Sequence, residues 1–240
     1  MGEIPLYNLF KDHAHTQGRK WGMELLTLMK KRHSVRQYED VPLNDGQIDV
    51  LSKEIDPINK ENNLHIQLVR NEGKAFSNGM AHYGHFKGVN NYLALIGPKG
   101  KDLEEKLGYY GEHLVLLAQS LGLNSCWVAL TYKKIPNAFS ILPGEKLIMV
   151  IALGKGITQG FPHKGKRYED VVSGDNAPAW FKEGVEAALL APTATNQQKF
   201  HLIYQDGKAY LKMGVGICIK TDKGIVKYHF EKISGHHLEE

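Results

Sequence analysis

The hydrophobic pattern of this chain changes period along its length, and each change marks an element. Over residues 21–31, Leu25, Leu26, Leu28 and Met29 fall on or near one face of a helix. A second helix is predicted to open at Asn44, because Gln47 three residues on completes a capping pair. Its stripe is Ile48, Leu51 and Ile55, and Pro57 is expected to end it. Residues 64–70 (LHIQLVR) alternate as a half-buried strand does, whereas residues 91–97 (NYLALIG) form a continuous apolar run, the mark of a strand covered on both faces. The longest predicted helix covers residues 102–121, where Leu103, Leu107, Tyr110, Leu114, Leu117 and Leu121 keep a three-to-four spacing. Gly122 followed by Leu123 suits a left-handed cap with its apolar follower. Residues 125–130 and 146–153 read as strands, with Pro143-Gly144 turning between them.

Residues 155–166 are rich in Gly and Lys and form the best candidate boundary. On this reading residues 1–160 make a first half, and residues 161–240 a second half packed on it as one unit. The second half is predicted to hold a helix over residues 178–190 and strands over 200–205 and 208–213, joined by the hairpin turn Asp206-Gly207. A last amphipathic piece covers residues 224–233. The halves echo each other, since 44–74 and 178–208 both read helix, connection, then strand and turn (LHIQLVRNEGK against FHLIYQDGK). In the first copy the connection is Asp56-Pro57-Ile58-Asn59-Lys60; in the second it is APTATNQQ. The expected fold is therefore α+β, a central and mostly antiparallel sheet flanked by helices, with a partial internal duplication.

Composition narrows the function classes. Apolar residues make up 42% of the 240 and charged residues 23%, the balance of an ordinary globular chain with enough length for a real core. A net charge of +4 favours an anionic ligand weakly, and no basic stripe argues for nucleic acid. Two cysteines, Cys126 and Cys218, lie far apart in apolar runs, and two buried free thiols in a reducing cytoplasm are expected. The first ten residues lack the basic start and apolar core of a secretory leader, and the longest apolar runs are too short to span a bilayer. The terminal HHLEE resembles part of a tag or a natural polar end and is left out of the expected fold.

Candidate chemistry begins where the first amphipathic run ends, in KRHSVRQY. Arg32, Ser34 and Arg36 occupy alternate positions, so in an extended segment they point the same way. Two guanidinium forks and a hydroxyl converging on one point suit a phosphate. The competing reading is a solvated basic helix end, where positive residues complement the macrodipole. Far downstream, APTATNQQ supplies Pro192, Thr193, Thr195, Asn196 and Gln198. Its amides carry both donor and acceptor groups, although such residues are also common in any polar turn. Other features are bland. Gly154-Lys155-Gly156 lacks the rest of a phosphate loop. His82 and His85 lack partners for a metal site. No nucleophile–base arrangement has motif support.

Taken together, KRHSVRQY and APTATNQQ resemble the FMN-dependent nitroreductase superfamily. LLAQSLGLNSCWV (residues 116–128) is similar to that family's central helix and following strand, and LPGEKLIMVIALGKG (142–156) to its penultimate strand. The resemblance covers roughly residues 21–205. Ordinary members carry the APS-type turn soon after the first helix and bind flavin at a homodimer interface. Here the turn lies in the C-terminal third, as in the TM nitroreductase branch, where one chain contains both contributions.

The resemblance implies a nitroreductase-like fold and an FMN site. Arg32, Ser34 and Arg36, with His33 beside them in a packing or capping role, would meet the phosphate and the pyrimidine edge. Backbone amides around Trp127, Val128 and Ala129 would approach the ring. Pro192, Thr193, Thr195, Asn196 and Gln198 would meet the isoalloxazine or ribityl part. Among Lys155, Lys164, Lys166 and Arg167 a basic residue would reach the phosphate, with Lys164 and Lys166 carried forward. Two departures from the family pattern stand out: Ala129 where relatives have Gly, and Lys199-Phe200 where they have Pro-Trp. Residues 76–88, rich in Gly, His and aromatics, would cover the open face of the flavin.

The implied activity is an FMN-dependent oxidoreductase passing electrons from NADH or NADPH to a small electron-poor acceptor such as a nitroaromatic or quinone. No catalytic side chain and no metal are expected. The alternatives are a flavin-binding storage or sensing protein without turnover, or a basic interaction module without flavin. A cytoplasmic protein is expected, with no nucleic-acid or membrane partner, either a monomer acting as a pseudo-dimer or a homodimer.

Overall fold

The computed structural model describes the backbone of residues 18–77 and 84–239, with side chains from Gly22 onward within those ranges. The leader assessment over the first ten residues, the Trp21 side chain, His82 and part of the 76–88 segment lie outside the described residues. The chain divides into two compact units. Residues 31–103 and 113–161 form the first; residues 18–30, 104–112 and 162–239 belong to the second.

The first unit is built on an antiparallel four-stranded sheet in the order β1-β2-β4-β3. The strands are β1 (Gln67–Val69), β2 (Asn91–Pro98), β3 (Asn124–Val128) and β4 (Glu145–Gly154). β2 is buried along its length up to Pro98, as its unbroken apolar run requires. Its register on β4 sets Leu93 opposite Ile151 and Ala94 opposite Val150. One face gathers Val35, Tyr38, Phe76, Phe86, Tyr92, Cys126, Val128 and Val150 into a single core. β1 is shorter than the alternation predicts, and β3 ends before Ala129.

Of the helices, α1 (Gly18–Lys31) buries Leu25, Leu28 and Met29. In α2 (Asp45–Asn62), Asn44 and Gln47 form the expected reciprocal capping box. Pro57 does not end α2. An interior Pro removes one hydrogen bond and costs about 3 kcal/mol. Packing beyond it offsets this: Ile58 is buried, and the Asn59 side chain clamps the next strand by donating to Ile66 O (2.9 Å) and accepting from Ile66 N–H (2.8 Å). α3 (Leu103–Ser120) ends as read, with Gly122 at φ +75° and Leu123 N–H donating to Ala118 O at 3.0 Å.

The second unit carries a second four-stranded sheet, β5 (Val172–Ser173), β6 (Phe200–Gln205), β7 (Lys208–Met213) and β8 (Leu238–Glu239), in sequential order. Its central pair is the predicted hairpin, turning through Asp206 (φ +53°) and Gly207 (φ +78°). The two outer pairings are parallel. α4 (Ala179–Ala188) starts after Pro178, and α5 (Ile219–Ser234) is longer than its periodic core suggests. The C-terminal residues are part of this fold rather than an appendage. Leu238 is buried, its N–H donates to Glu231 Oε1 at 3.1 Å, and His236 stacks on Trp180 at 3.8 Å between ring centroids.

The echo between the halves is local. The Asp56–Lys60 connection is helical, and the NEGK after β1 leads into a 3-10 turn at Gly73–Phe76, whereas β6 turns straight back into β7. Among the described residues no helix is long and apolar enough to cross a membrane.

Candidate functional site

The Arg/Ser segment leaves α1 and runs along the free side of β3. Val35 N–H donates to Ser125 O (3.0 Å), Tyr38 N–H to Lys87 O (2.9 Å) and Lys87 N–H to Arg36 O (2.9 Å). Ile157 N–H donates to Gln37 O (3.0 Å) and Glu39 N–H to Lys155 O (2.8 Å). The backbone is thus fixed on both sides, which leaves alternate side chains to sort by face. Val35 and Tyr38 enter the core; Ser34 and Arg36 stay exposed. Arg32 is buried to 4% exposure, so the three residues read as equivalent differ in depth.

All three influence the Cys126 thiol in β3. Burial pushes the Cys126 thiol up, and against it work the Arg36 charge, a hydrogen bond from the Ser34 hydroxyl and the Arg32 charge. Burial likewise raises Tyr38, helped by Cys126 and opposed by Arg36. Tyr38 Oη donates to Val35 O at 2.6 Å. The segment thus sets two cations and a hydroxyl near a buried thiol.

Residues after β4 close against the same segment. Asn124 Oδ1 accepts from Gly156 N–H (3.0 Å), and Asn124 Nδ2 donates to Gln159 Oε1 (3.0 Å). Gly160 sits at φ +71°, where a Cβ would lie 2.9 Å from the His33 Cβ. His33 is half-buried beside it. Gly154-Lys155-Gly156 therefore serves packing, and Lys155 pairs with Glu39 at 2.9 Å. Trp127 and Ala129 are half-buried and Val128 is core. The ends of the expected covering loop are core as well: Phe76 and Phe86 are buried and meet edge to face at 5.1 Å.

In the second unit, the 191–198 turn folds around the 3-10 turn Ala194–Asn196, with Thr195, Asn196 and Gln198 at positive φ (50°, 56° and 43°). Side chains read as ligand-facing amides are engaged within the protein. Gln198, 3% exposed, donates to Lys164 O (2.8 Å) and Asn196 Oδ1 (2.9 Å) and accepts from Lys166 N–H (2.8 Å). Asn196 Nδ2 donates to Lys164 O at 3.0 Å. Lys166 Nζ donates to Gln198 O at 2.7 Å, while Arg167 pairs with Asp170 at 2.8 Å. Thr193 Oγ1 accepts from Gln198 N–H (3.0 Å), and Pro192 and Thr193 are half-buried. Thr195 is exposed at the apex, and Lys164 is exposed on the neighbouring strap.

Sequence reasoning missed Asp222. Its carboxylate accepts from Ala194 N–H at 3.0 and 3.2 Å and from Gln197 Nε2 at 2.6 Å. The only signal for it was its place two residues ahead of the apolar run of α5, which marks a helix start and not a partner. Cys126 and Cys218 are both free thiols, but Cys218 is half-exposed rather than buried. Among the described residues no group of three potential metal ligands comes together.

A family model described as "Putative TM nitroreductase" matches residues 24–234. Among solved structures, one described as a "putative nitroreductase" from Thermotoga maritima MSB8 shares 21% identity with a TM-score of 0.62, covering 93% of this chain and 87% of that one. A "Putative NADH dehydrogenase/NAD(P)H nitroreductase" from Bacteroides thetaiotaomicron has 16% identity and a TM-score of 0.50, covering 62% of this chain and 95% of its own. A "Nitroreductase Family Protein" from Streptococcus pneumoniae TIGR4 has 12% identity and a TM-score of 0.50, with 62% and 98% covered. These likenesses are of fold. No curated protein matches the chain.

Proposed function

This chain belongs to the TM nitroreductase family, and from that membership we propose that it is an FMN-dependent oxidoreductase. Electrons would pass from NADH or NADPH to a small electron-poor acceptor, a nitroaromatic or a quinone. The observation that carries the reading is the 32–36 segment, pinned along β3 by Val35 N–H donating to Ser125 O at 3.0 Å, which leaves Ser34 and Arg36 exposed and Arg32 buried. Two guanidiniums and a hydroxyl carried at alternate positions of one fixed segment fit a phosphate ester.

When bound, FMN would supply the two-electron chemistry. Arg36 and Ser34, exposed at the free side of β3, would hold the phosphate, and Arg32 beneath them would add fixed positive potential. His33 would pack the segment against Gly160. Trp127, Val128 and Ala129, at and just beyond the end of β3, would offer backbone toward the ring. The 192–198 turn would meet the ring or ribityl part of a flavin. On it Thr193 and Thr195 would offer side chains to the flavin, while Asn196 and Gln198, bonded to the strap that carries Lys164 and Lys166, would keep its shape. No side chain is assigned as acid or base.

The test is the visible spectrum of protein purified with added FMN, followed by anaerobic NADH or NADPH. A yellow protein that bleaches, and that then oxidises NAD(P)H steadily with menadione or a nitrofuran, supports the reading. A colourless protein that takes up no FMN overturns it. Bleaching without turnover would select flavin storage or sensing instead.

A further inference from the structure

Asp222 stands in the first turn of α5, 2% exposed, with its own N–H donating to Cys218 O at 3.0 Å. Its neighbours supply only donors on the side of the 191–198 turn: Ala194 N–H reaches both oxygens, and Gln197 Nε2 reaches Oδ2 at 2.6 Å. Gln197 Nε2 also donates to Ile217 O at 2.8 Å. The amide orientation is therefore fixed, because a flipped amide would set its oxygen against that carbonyl. Gly216 packs against the same amide so closely that a Cβ there would meet Gln197 Oε1. A buried carboxylate is costly to keep unless it is hydrogen-bonded. Here the bonds it makes all go to the turn whose Thr195 is held at φ +50°.

We propose that Asp222 is a positioning residue for the flavin site: it sets the shape in which residues 193–197 meet the part of the flavin that carries no phosphate. This rests on the FMN reading above. Asp222 touches no reacting atom. It acts through the Ala194 backbone and the Gln197 amide, which is why the residue must be an anion and not merely polar. An asparagine of the same size would turn an NH2 group toward either Ala194 N–H or Gln197 Nε2. Both are donors, and Gln197 is not free to flip. Asp222→Asn thus sets a donor against one of the two links and weakens the anchor without changing the volume.

The experiment titrates FMN and riboflavin, separately, into flavin-free wild-type, Asp222→Asn and Arg36→Ala protein, with fluorescence quenching as the readout. Loss of a hydrogen bond to a charged group predicts that Asp222→Asn weakens FMN and riboflavin by the same factor, about tenfold. Arg36→Ala should weaken FMN far more than riboflavin. At saturating FMN, the visible circular dichroism and reduction potential of the flavin in Asp222→Asn should differ from wild type. A residue that only stabilises the fold would change neither once the site is filled.

Equal affinity of wild type and Asp222→Asn for both flavins overturns the proposal, as does a loss confined to FMN or an unchanged bound spectrum and potential. If Asp222→Asn does not fold, Gln197→Met removes one of the two links and carries the same comparison: a smaller, equal loss for both flavins supports the assignment, and no loss overturns it. Failure of the wild-type protein to bind either flavin would sink the FMN reading itself, so the wild-type arm separates the two failures.

Discussion

His229 Nε2 and Glu112 Oε1 meet at 2.9 Å with neither side chain exposed (0% for both). The other ring nitrogen of His229 donates to Ala187 O at 2.9 Å, so one imidazole links α5 both to the part of α3 in the second unit and to the end of α4. Breaking a buried pair by removing one partner leaves an uncompensated polar group and typically costs about 3–5 kcal/mol. His229→Leu or Glu112→Leu alone should therefore destabilise the protein by about that much, read from urea unfolding. The double Leu variant should lose less than the sum of the two, because neither partner is left alone. Additive losses would show that the pair is not coupled.

Arg36 gives the second prediction. It is exposed, yet its charge reaches the buried Cys126 sulfur and the Tyr38 hydroxyl. Its removal should leave the fold intact, since surface substitutions commonly change stability by no more than about 0.5 kcal/mol. FMN binding should weaken by about tenfold or more, because a charge-assisted contact to phosphate is among the strong ones. Equilibrium dialysis of Arg36→Ala against FMN measures this. Unchanged affinity would remove Arg36 from the phosphate site.

Much of the fold was legible because its elements carry undiluted signals. The Asn44–Gln47 box, the Gly122–Leu123 cap, the Asp206-Gly207 hairpin and the apolar run of β2 each depend on residues within a few positions of one another. What escaped depends on partners distant in sequence. Pro57 reads as a stop, and only the clamp between Asn59 and Ile66 and the burial of Ile58 show why the helix continues. The final residues read as a polar tail, yet Leu238 and His236 find Glu231 and Trp180. The same holds at the candidate site. The composition of APTATNQQ shows amides but cannot tell whether they face a ligand or, as with Gln198, the 164–166 strap. Asp222, 28 residues beyond Ala194, carries no local mark of its role.

The two thiols should differ in reactivity. Cys126 is 3% exposed and pushed up by burial, whereas Cys218 is half-exposed and raised by burial first, then by Asp222 and Glu104. The thiolate is the reacting form, so both should be slow in the folded protein at neutral pH, and Cys218 should react first. Ellman's reagent should titrate one group slowly in native protein and the second only in denaturant. Cys218→Ser should abolish the native phase. Asp222→Asn should speed it up, because removing the nearby negative charge lowers the Cys218 pKa and raises its thiolate fraction. A fast native reaction at Cys126 would contradict its burial.

Glu145 at the start of β4 supplies a pH dependence. Its Oε2 lies 2.8 Å from His65 Nδ1 and accepts from Leu142 N–H at 2.8 Å. Burial alone would raise this carboxyl, but the His65 hydrogen bond, the Leu142 N–H and the His65 charge together hold it below the ordinary value of 4.5. A carboxyl with a depressed folded-state pKa binds fewer protons when folded than when unfolded across the interval between the two values. Its stabilisation is therefore complete above the unfolded value and is lost as pH falls through the folded one. The pair is partly solvated, so its contribution should be about 1 kcal/mol. Wild type should exceed Glu145→Gln by that margin in urea unfolding at about pH 6, and the two should converge by about pH 3. A difference that persists undiminished into acid would mean that the carboxylate charge is not what His65 and Leu142 stabilise.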